Sequence, residues 1–314
     1  MTNTRELTIE AVKTEAEDVK SFVLGDPAGN PVPAWTPGSH IDVVTPEGLT
    51  AQYSLCGGVQ DRHWRIAALL KRDGKGVSRY LHEKVRAGDI LKVSAPRNHF
   101  ELAPSQSYFF IAGGIGITPI LPMIVEVASR GLPWRLVYGG RQRTSMAFLA
   151  ELAGYGDRVQ VLPESEHGLL PLPELIGKSD TQDAIYCCGP EPLIWAVEGL
   201  AHDRGLAKPH VERFTAVDTA HHADDAAFEV ELAKTGQVTI PVTPQQTILE
   251  ALEQRGIFPA ASCREGVCGT CETAVLAGEI DHRDSVLTDG ERQTGKSMMI
   301  CVSRARSARL KLDL

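Results

Sequence analysis

Short apolar and β-branched runs separated by turn residues fill the first hundred positions. Leu7 to Val12, Ser21 to Leu24, His40 to Val44, Tyr53 to Leu55, Trp64 to Leu70 and Ile90 to Val93 are the strand candidates, and Asp26-Pro27, Pro37-Gly38, Pro46-Glu47-Gly48 and Arg72-Asp73-Gly74 punctuate them. That rhythm predicts an antiparallel β-barrel or sandwich over residues 1–104. From about Ser107 the rhythm lengthens to a strand followed by an amphipathic segment, with strands expected at Tyr108 to Ala112, Trp134 to Tyr138, Arg158 to Leu162, Ala184 to Cys188 and Val211 to Phe214. Such alternation predicts an α/β domain over 105–215, a parallel sheet covered on both faces, with a nucleotide crevice at the carboxyl ends of its strands. Residues 216–227, AVDTAHHADDAA, have no apolar period and read as a linker. A third unit, 228–314, opens with strands Phe228 to Leu232 and Val238 to Val242, a helix from about Thr247 to Arg255, and a cysteine-rich loop.

Composition narrows the function classes. The 314 residues suffice for two or three domains with cores of their own. Forty acidic residues against 32 basic ones, a formal charge of −8, argue against a polyanion as partner, so nucleic acid is not expected. Tyr108 to Ala128 is apolar enough to resemble a membrane span, but Gly113, Gly114, Gly116, Pro119, Pro122 and Glu126 break it into strand, glycine loop and helix. Met1 to Lys13 mixes Arg5, Glu6 and Glu10 with isolated apolar residues, which is not the pattern of a signal peptide. Seven cysteines, two of them the adjacent Cys187 and Cys188, fit a reducing compartment better than a disulfide framework, and a cytoplasmic location is expected.

The most specific signal is Cys263-x4-Cys268-x2-Cys271, completed by Cys301 after 29 intervening residues. This is the plant-type [2Fe–2S] spacing. A glycine-bearing loop can present three thiolates from one short segment, and Gly266 and Gly269 let backbone amides approach the sulfurs. The alternative is structural zinc, but zinc modules pair two closely spaced cysteines with another close pair, whereas here the fourth stands alone. Arg264 and Glu265 border this loop and are candidates for a docking rim.

Three weaker signals lie upstream. Ala112-Gly113-Gly114-Ile115-Gly116-Ile117-Thr118-Pro119 follows an apolar strand and opens a helix, so its amides and positive dipole end can face a pyrophosphate; a ligand-free strand-to-helix turn is the alternative. Cys188-Gly189-Pro190 closes a later strand and precedes another helix. Tyr53-Ser54-Leu55 ends a barrel strand, where an aromatic face and a hydroxyl can meet a planar ring, although such residues are more often core packing. Arg141-Gln142-Arg143 follows the second strand of the nucleotide domain, where the adenosine ribose could sit or where the charges are merely solvated; NADH and NADPH stay open.

Taken in order, Tyr53-Ser54-Leu55, Gly113 to Pro119, Cys188-Gly189-Pro190 and the C-terminal cysteine loop resemble the phthalate dioxygenase reductase family, which includes vanillate demethylase reductases, over essentially the whole chain. The resemblance implies an FMN-binding β-barrel, an NAD(P)-binding α/β domain and a C-terminal β-grasp ferredoxin domain. It implies that Tyr53, Ser54 and Leu55 contact the isoalloxazine, Ser54 near N5, and that Lys71, Gly76, Val77 and Ser78 lie along the ribityl phosphate. Phe214 matches the aromatic that shields the flavin face near the nicotinamide. Gly113, Gly114, Gly116, Thr118, Arg141, Cys188, Gly189 and Pro190 would hold NADH or NADPH, and Cys263, Cys268, Cys271 and Cys301 the [2Fe–2S] cluster. The chain departs from the pattern at Ala51, where the family has an arginine for the FMN phosphate; Lys71, Arg72 and Arg79 are the candidate substitutes.

The implied activity is an electron relay. A nicotinamide delivers two electrons as hydride and the cluster takes one, so a flavin, which can hold either number, must stand between them. No side chain need serve as acid or base, and His40, His63, His82 and His99 read as ordinary histidines. The expected partner is a Rieske-type oxygenase component. A cytochrome P450 or another monooxygenase is the alternative acceptor, and a redox-sensing binding module the alternative class. A monomer is the simplest assembly; the sequence does not name the oxygenase substrate.

Overall fold

The computed structural model describes residues 4–74, 76–179, 182–214, 225–236 and 238–314. Its described residues divide into two compact units, one ending at Arg213 and the other running from Phe214 to Leu314.

The first unit begins as a barrel. Strands β1 (Thr4–Ala16), β2 (Val19–Gly25), β3 (Ser39–Val44), β4 (Thr50–Ser54), β5 (Trp64–Leu69), β6 (Ile90–Ser94) and β7 (Arg97–Asn98) pair in the order β4-β3-β6-β1-β2-β5, with β7 against β3. A single bridge from Leu55 to Ile66 joins the two ends of that path and closes the sheet on itself. Closure removes exposed edges, as antiparallel sheets require. Alternation along the strands sends Ile41, Val43 and Leu55 inward with Leu7, Phe22 and Trp64, while His40, Asp42 and Ser54 occupy the opposite face. One element had no periodic signal: helix α1 (Val77–Glu83), too short for a period of 3.6 to repeat.

The same unit continues as a five-stranded, wholly parallel sheet in the order β10-β9-β8-β11-β12. Its elements are β8 (Ser107–Gly113), α2 (Ile117–Ser129), β9 (Trp134–Gly140), α3 (Leu149–Ala153), β10 (Val159–Pro163), α4 (Glu164–His167), α5 (Leu172–Gly177), β11 (Asp183–Cys188), α6 (Glu191–Asp203) and β12 (His210–Glu212). Central β8 reads Ser-Tyr-Phe-Phe-Ile-Ala-Gly and is buried from Tyr108 onward, as a strand covered on both faces must be. The final strand stops at Glu212, two residues before the expected end at Phe214, which belongs to the second unit.

Barrel and parallel sheet are bolted together. Arg65 forms a fork to Glu151 at 2.6 and 3.0 Å and lies over the Phe148 ring at 5.0 Å. The Tyr186 hydroxyl accepts from the Ala103 amide at 2.7 Å and donates to the Glu101 carbonyl, fixing the segment that connects the two sheets.

The second unit is an α+β fold. Strands β13 (Phe228–Leu232), β14 (Val238–Val242), β15 (Glu272–Ala277), β17 (Ser297–Met299) and β19 (Arg309–Leu312) order as β14-β13-β19-β15-β17, and β16 (Ile280–Asp281) pairs with β18 (Arg304–Ala305). Helix α7 (Ile248–Glu253) packs its apolar side on this sheet and starts at a capping box, in which the Thr247 hydroxyl accepts from the Glu250 amide and the Glu250 carboxylate accepts from the Thr247 amide. Thr288 and Glu291 repeat the box at α8 (Asp289–Thr294). Of the expected linker, residues 216–224 lie outside the described residues; Asp225 is described and pairs with Arg283.

Candidate functional sites

In the first unit the upstream motifs occupy two places. Tyr53 and Ser54 end β4, opposite Ile41 and His40. Tyr53 is half-buried against the barrel core, and burial pushes its phenol well above the usual range. Ser54 is buried with its Oγ unpartnered among the described residues, an orphan that a ring heteroatom could satisfy. Leu55 is core: it is wholly buried, and its amide donates to the Ser39 carbonyl at 2.8 Å.

The loop leading into α1 is tied at Ser78, whose Oγ accepts from the Lys71 amide at 3.1 Å. Val77 and Ser78 are buried beneath it, while Lys71, Arg72 and Arg79 are exposed along its rim, Arg79 donating to the Arg72 carbonyl. Ala51, where the resemblance expects arginine, packs against the barrel core. Among the described residues, the cations that border this loop are Lys71, Arg72 and Arg79.

The glycine turn and the Cys188-Gly189-Pro190 turn, 75 residues apart from Gly113 to Cys188, are brought into contact at the carboxyl ends of β8 and β11. A Cβ on Gly116 would lie 2.3 Å from the Cys188 carbonyl oxygen, so glycine there is what permits the approach. The Thr118 hydroxyl donates to the Ile115 carbonyl at 2.9 Å and braces the turn from within. Arg141 is exposed beyond β9, and its neighbour Arg143 pairs with Glu166 at 2.7 Å.

Sequence reasoning assigned no role to Glu212. It stands beside Cys188 in the β11–β12 register, its carboxyl is buried, and Oε2 is unpartnered among the described residues. Burial raises its pKa from 4.5 to about 8. The adjacent Arg213 does not relieve it, because its guanidinium is taken by Glu191 at 2.8 Å and Glu198 at 2.6 Å. Burial likewise drives the Cys188 thiol far up. An acidic residue at a strand end carries no periodic signal, so only packing exposes this one. A cavity of about 480 Å³ at the seam, lined by Cys56, Trp64, Arg65, Leu121, Glu151 and Tyr155, contains none of the expected cofactor residues.

In the second unit the four cysteines converge. Cys271 and Cys301 sulfurs stand 3.1 Å apart, Cys263 contacts Cys268, and a Cys263–Cys301 contact joins the two pairs. All four are buried. Backbone amides are aimed at them: Glu265 and Val267 donate to Cys263, Thr270 to Cys268 at 3.4 Å, and Gly266 to Cys301. Two sulfur pairs ringed by amide donors fit a two-iron cluster, one pair per iron. Arg264, at a left-handed φ of 59°, forms a fork to Glu253 and stays exposed.

These features define an electron-transfer oxidoreductase with a flavin-type barrel, a nucleotide-binding parallel sheet and an iron–sulfur unit. The family model for the 2Fe-2S iron-sulfur cluster binding domain matches residues 232–306. The chain is 42% identical to phenoxybenzoate dioxygenase subunit beta from Ectopseudomonas oleovorans, over 98% of this chain and 97% of that one. The solved structure of phthalate dioxygenase reductase, described as modular for electron transfer from pyridine nucleotides to [2Fe–2S], superposes with a TM-score of 0.72 at 34% identity, covering 99% of this chain and 98% of that one. An intact type IV self-sufficient cytochrome P450 monooxygenase superposes with a TM-score of 0.93 at 40% identity over 99% of this chain, which spans only 41% of that protein. The chain belongs to the phthalate dioxygenase reductase family.

Proposed function

We propose that this chain is the reductase component of a Rieske-type oxygenase and passes electrons from NADH or NADPH through FMN and a [2Fe–2S] cluster to that partner. The observation that carries the proposal is the paired arrangement of the Cys263, Cys268, Cys271 and Cys301 sulfurs in a chain whose other unit brings two nucleotide-type turns together. Bound at these residues, a flavin would supply hydride acceptance with single-electron release, and a [2Fe–2S] cluster single-electron acceptance.

The chain's own residues bind and orient. Tyr53 offers a phenol face to the flavin ring, and the unpartnered Ser54 hydroxyl a hydrogen bond to the ring edge. Amides at Gly76, Val77 and Ser78, with Lys71, Arg72 and Arg79 around them, receive the phosphate that Ala51 cannot hold. Gly113, Gly114 and Gly116, at the start of the 13-residue α2, present amides and the helix dipole to the nucleotide pyrophosphate, with Cys188, Gly189 and Pro190 across from them. Arg141 reaches the adenosine end. The loop amides stabilise thiolate charge on the four cysteines.

The 0.93 superposition on part of the self-sufficient cytochrome P450 monooxygenase favours a second reading, in which the acceptor is a P450. Reconstitution separates the two: turnover supported with a Rieske oxygenase and not with a P450 sustains the first. Anaerobic mixing with NADH or NADPH tests the relay itself, and loss of both flavin and cluster absorbance is expected. Absorbance unchanged with either nucleotide refutes it. We place the protein in the cytoplasm. No helix among the described residues is long and apolar enough to cross a membrane, and none of the seven cysteines is in a disulfide.

A further inference from the structure

The second unit contains a buried carboxylate that the relay does not use. Asp284 lies between β16 and α8 with its side chain wholly buried. Oδ2 accepts from the Val286 amide at 3.1 Å and the Leu287 amide at 2.8 Å, and Oδ1 accepts from the Ser303 hydroxyl at 3.3 Å. Ser303 is two residues beyond Cys301 and is itself fully buried. The turn so formed carries the Ser285 amide, which donates to the Gly266 carbonyl at 2.8 Å. The other side of Gly266 is its own amide, which donates to the Cys301 sulfur. No larger residue fits: a Cβ on Gly266 would lie 2.6 Å from Val302 Cγ2 and 3.1 Å from the Asp284 Cα.

One carboxylate thus connects the loop holding the first three cysteines to the segment holding the fourth. It is also a negative charge in that shell, offset by Arg292, whose Nη2 is 3.8 Å from Oδ2; the His282 ring, 3.7 Å from Oδ1, has its pKa lowered by desolvation and adds little positive charge. The potential of an iron–sulfur cluster follows net charge and hydrogen bonds to its sulfurs. We infer that Asp284 is a positioning residue for the cluster site that orients Gly266 toward Cys301 and, with Arg292, sets the reduction potential of the cluster. This rests on the [2Fe–2S] reading of the four cysteines.

The test uses the full chain, with iron and sulfide counting and a redox titration of the cluster. Asp284→Asn keeps the shape: its carbonyl still accepts the two amides and its NH2 can donate to Ser303 Oγ. It is expected to retain iron and sulfide while the reduction equilibrium moves about tenfold toward the reduced form, about 59 mV for a one-electron couple. Arg292→Gln leaves the carboxylate and removes its offsetting cation, and is expected to move the equilibrium in the opposite direction. A purely structural carboxylate would shift neither potential. The inference is overturned if the iron-loaded variants titrate within twofold of the unaltered protein; should Asp284→Asn fail to load, Arg292→Gln alone decides. Unaltered protein without iron and sulfide overturns the cluster reading instead.

Discussion

The cluster loop and the nucleotide cleft hold their groups by different means. In the second unit the proposed ligands are side chains: four sulfurs converge, and amides support them. In the first unit, glycine backbone, helix ends and two orphaned polar atoms on Ser54 and Glu212 make the cleft, and few side chains are committed to anything outside the protein. Ligation by side chain is all-or-none per residue, whereas a backbone cradle loses affinity in steps. That contrast ranks the effects of substitution.

Cys301→Ser should have the largest effect. Iron content is expected to fall about tenfold or more, with electron delivery to an external acceptor collapsing while flavin reduction by the nucleotide stays intact. Iron analysis with parallel stopped-flow traces checks both halves, and equal losses of the two activities would erase the contrast between the units.

Glu212 comes next, through pH. A carboxyl whose pKa is raised from 4.5 to about 8 binds its proton more tightly folded than unfolded. Its contribution to stability is therefore complete below the ordinary carboxylate range and is lost as pH climbs through about 8. Denaturant melts between pH 5 and pH 9 should show the first unit weakening by on the order of a few kcal/mol, and Glu212→Gln should flatten that slope. A slope unaltered in the variant would remove Glu212 from the account.

Gly116→Ala places a methyl against the Cys188 carbonyl and should cost about 1 to 3 kcal/mol of nucleotide affinity or local stability. Calorimetric titration with the nucleotide reads it, and cluster content should not change. Ser54→Ala should be the mildest, with hydride transfer slowed about tenfold. The flavin-free protein should melt slightly higher, because an unpartnered buried hydroxyl costs on the order of 1 kcal/mol. A lower melting point would mean that Ser54 is already satisfied within the fold.

The same contrast decided what could be read from residues alone. The convergence of Cys263, Cys268, Cys271 and Cys301 was legible because ligand chemistry fixes residue type and spacing together. Strands such as Phe228–Leu232 and Val238–Val242 were legible to the residue because a half-buried strand alternates. Tyr53 and Ser54 gave only a weak signal, since any short polar pair after a strand looks the same, and the α1 loop entered only through resemblance. Glu212 and Asp284 were invisible for a related reason: a buried carboxylate is defined by what packs over it, and strand register and turn contacts supply that information only in three dimensions. The closeness of the glycine turn to Cys188 is likewise a product of parallel pairing between β8 and β11.

An anaerobic reductive titration with a nicotinamide donor, followed by visible absorbance and by electron paramagnetic resonance, tests the central claim most directly. Uptake of three electrons per chain is predicted, two at the flavin and one at the cluster, with the paramagnetic signal of the reduced cluster present in the unaltered protein and missing from Cys301→Ser. Uptake of only two electrons, with no cluster signal in the unaltered protein, contradicts the relay.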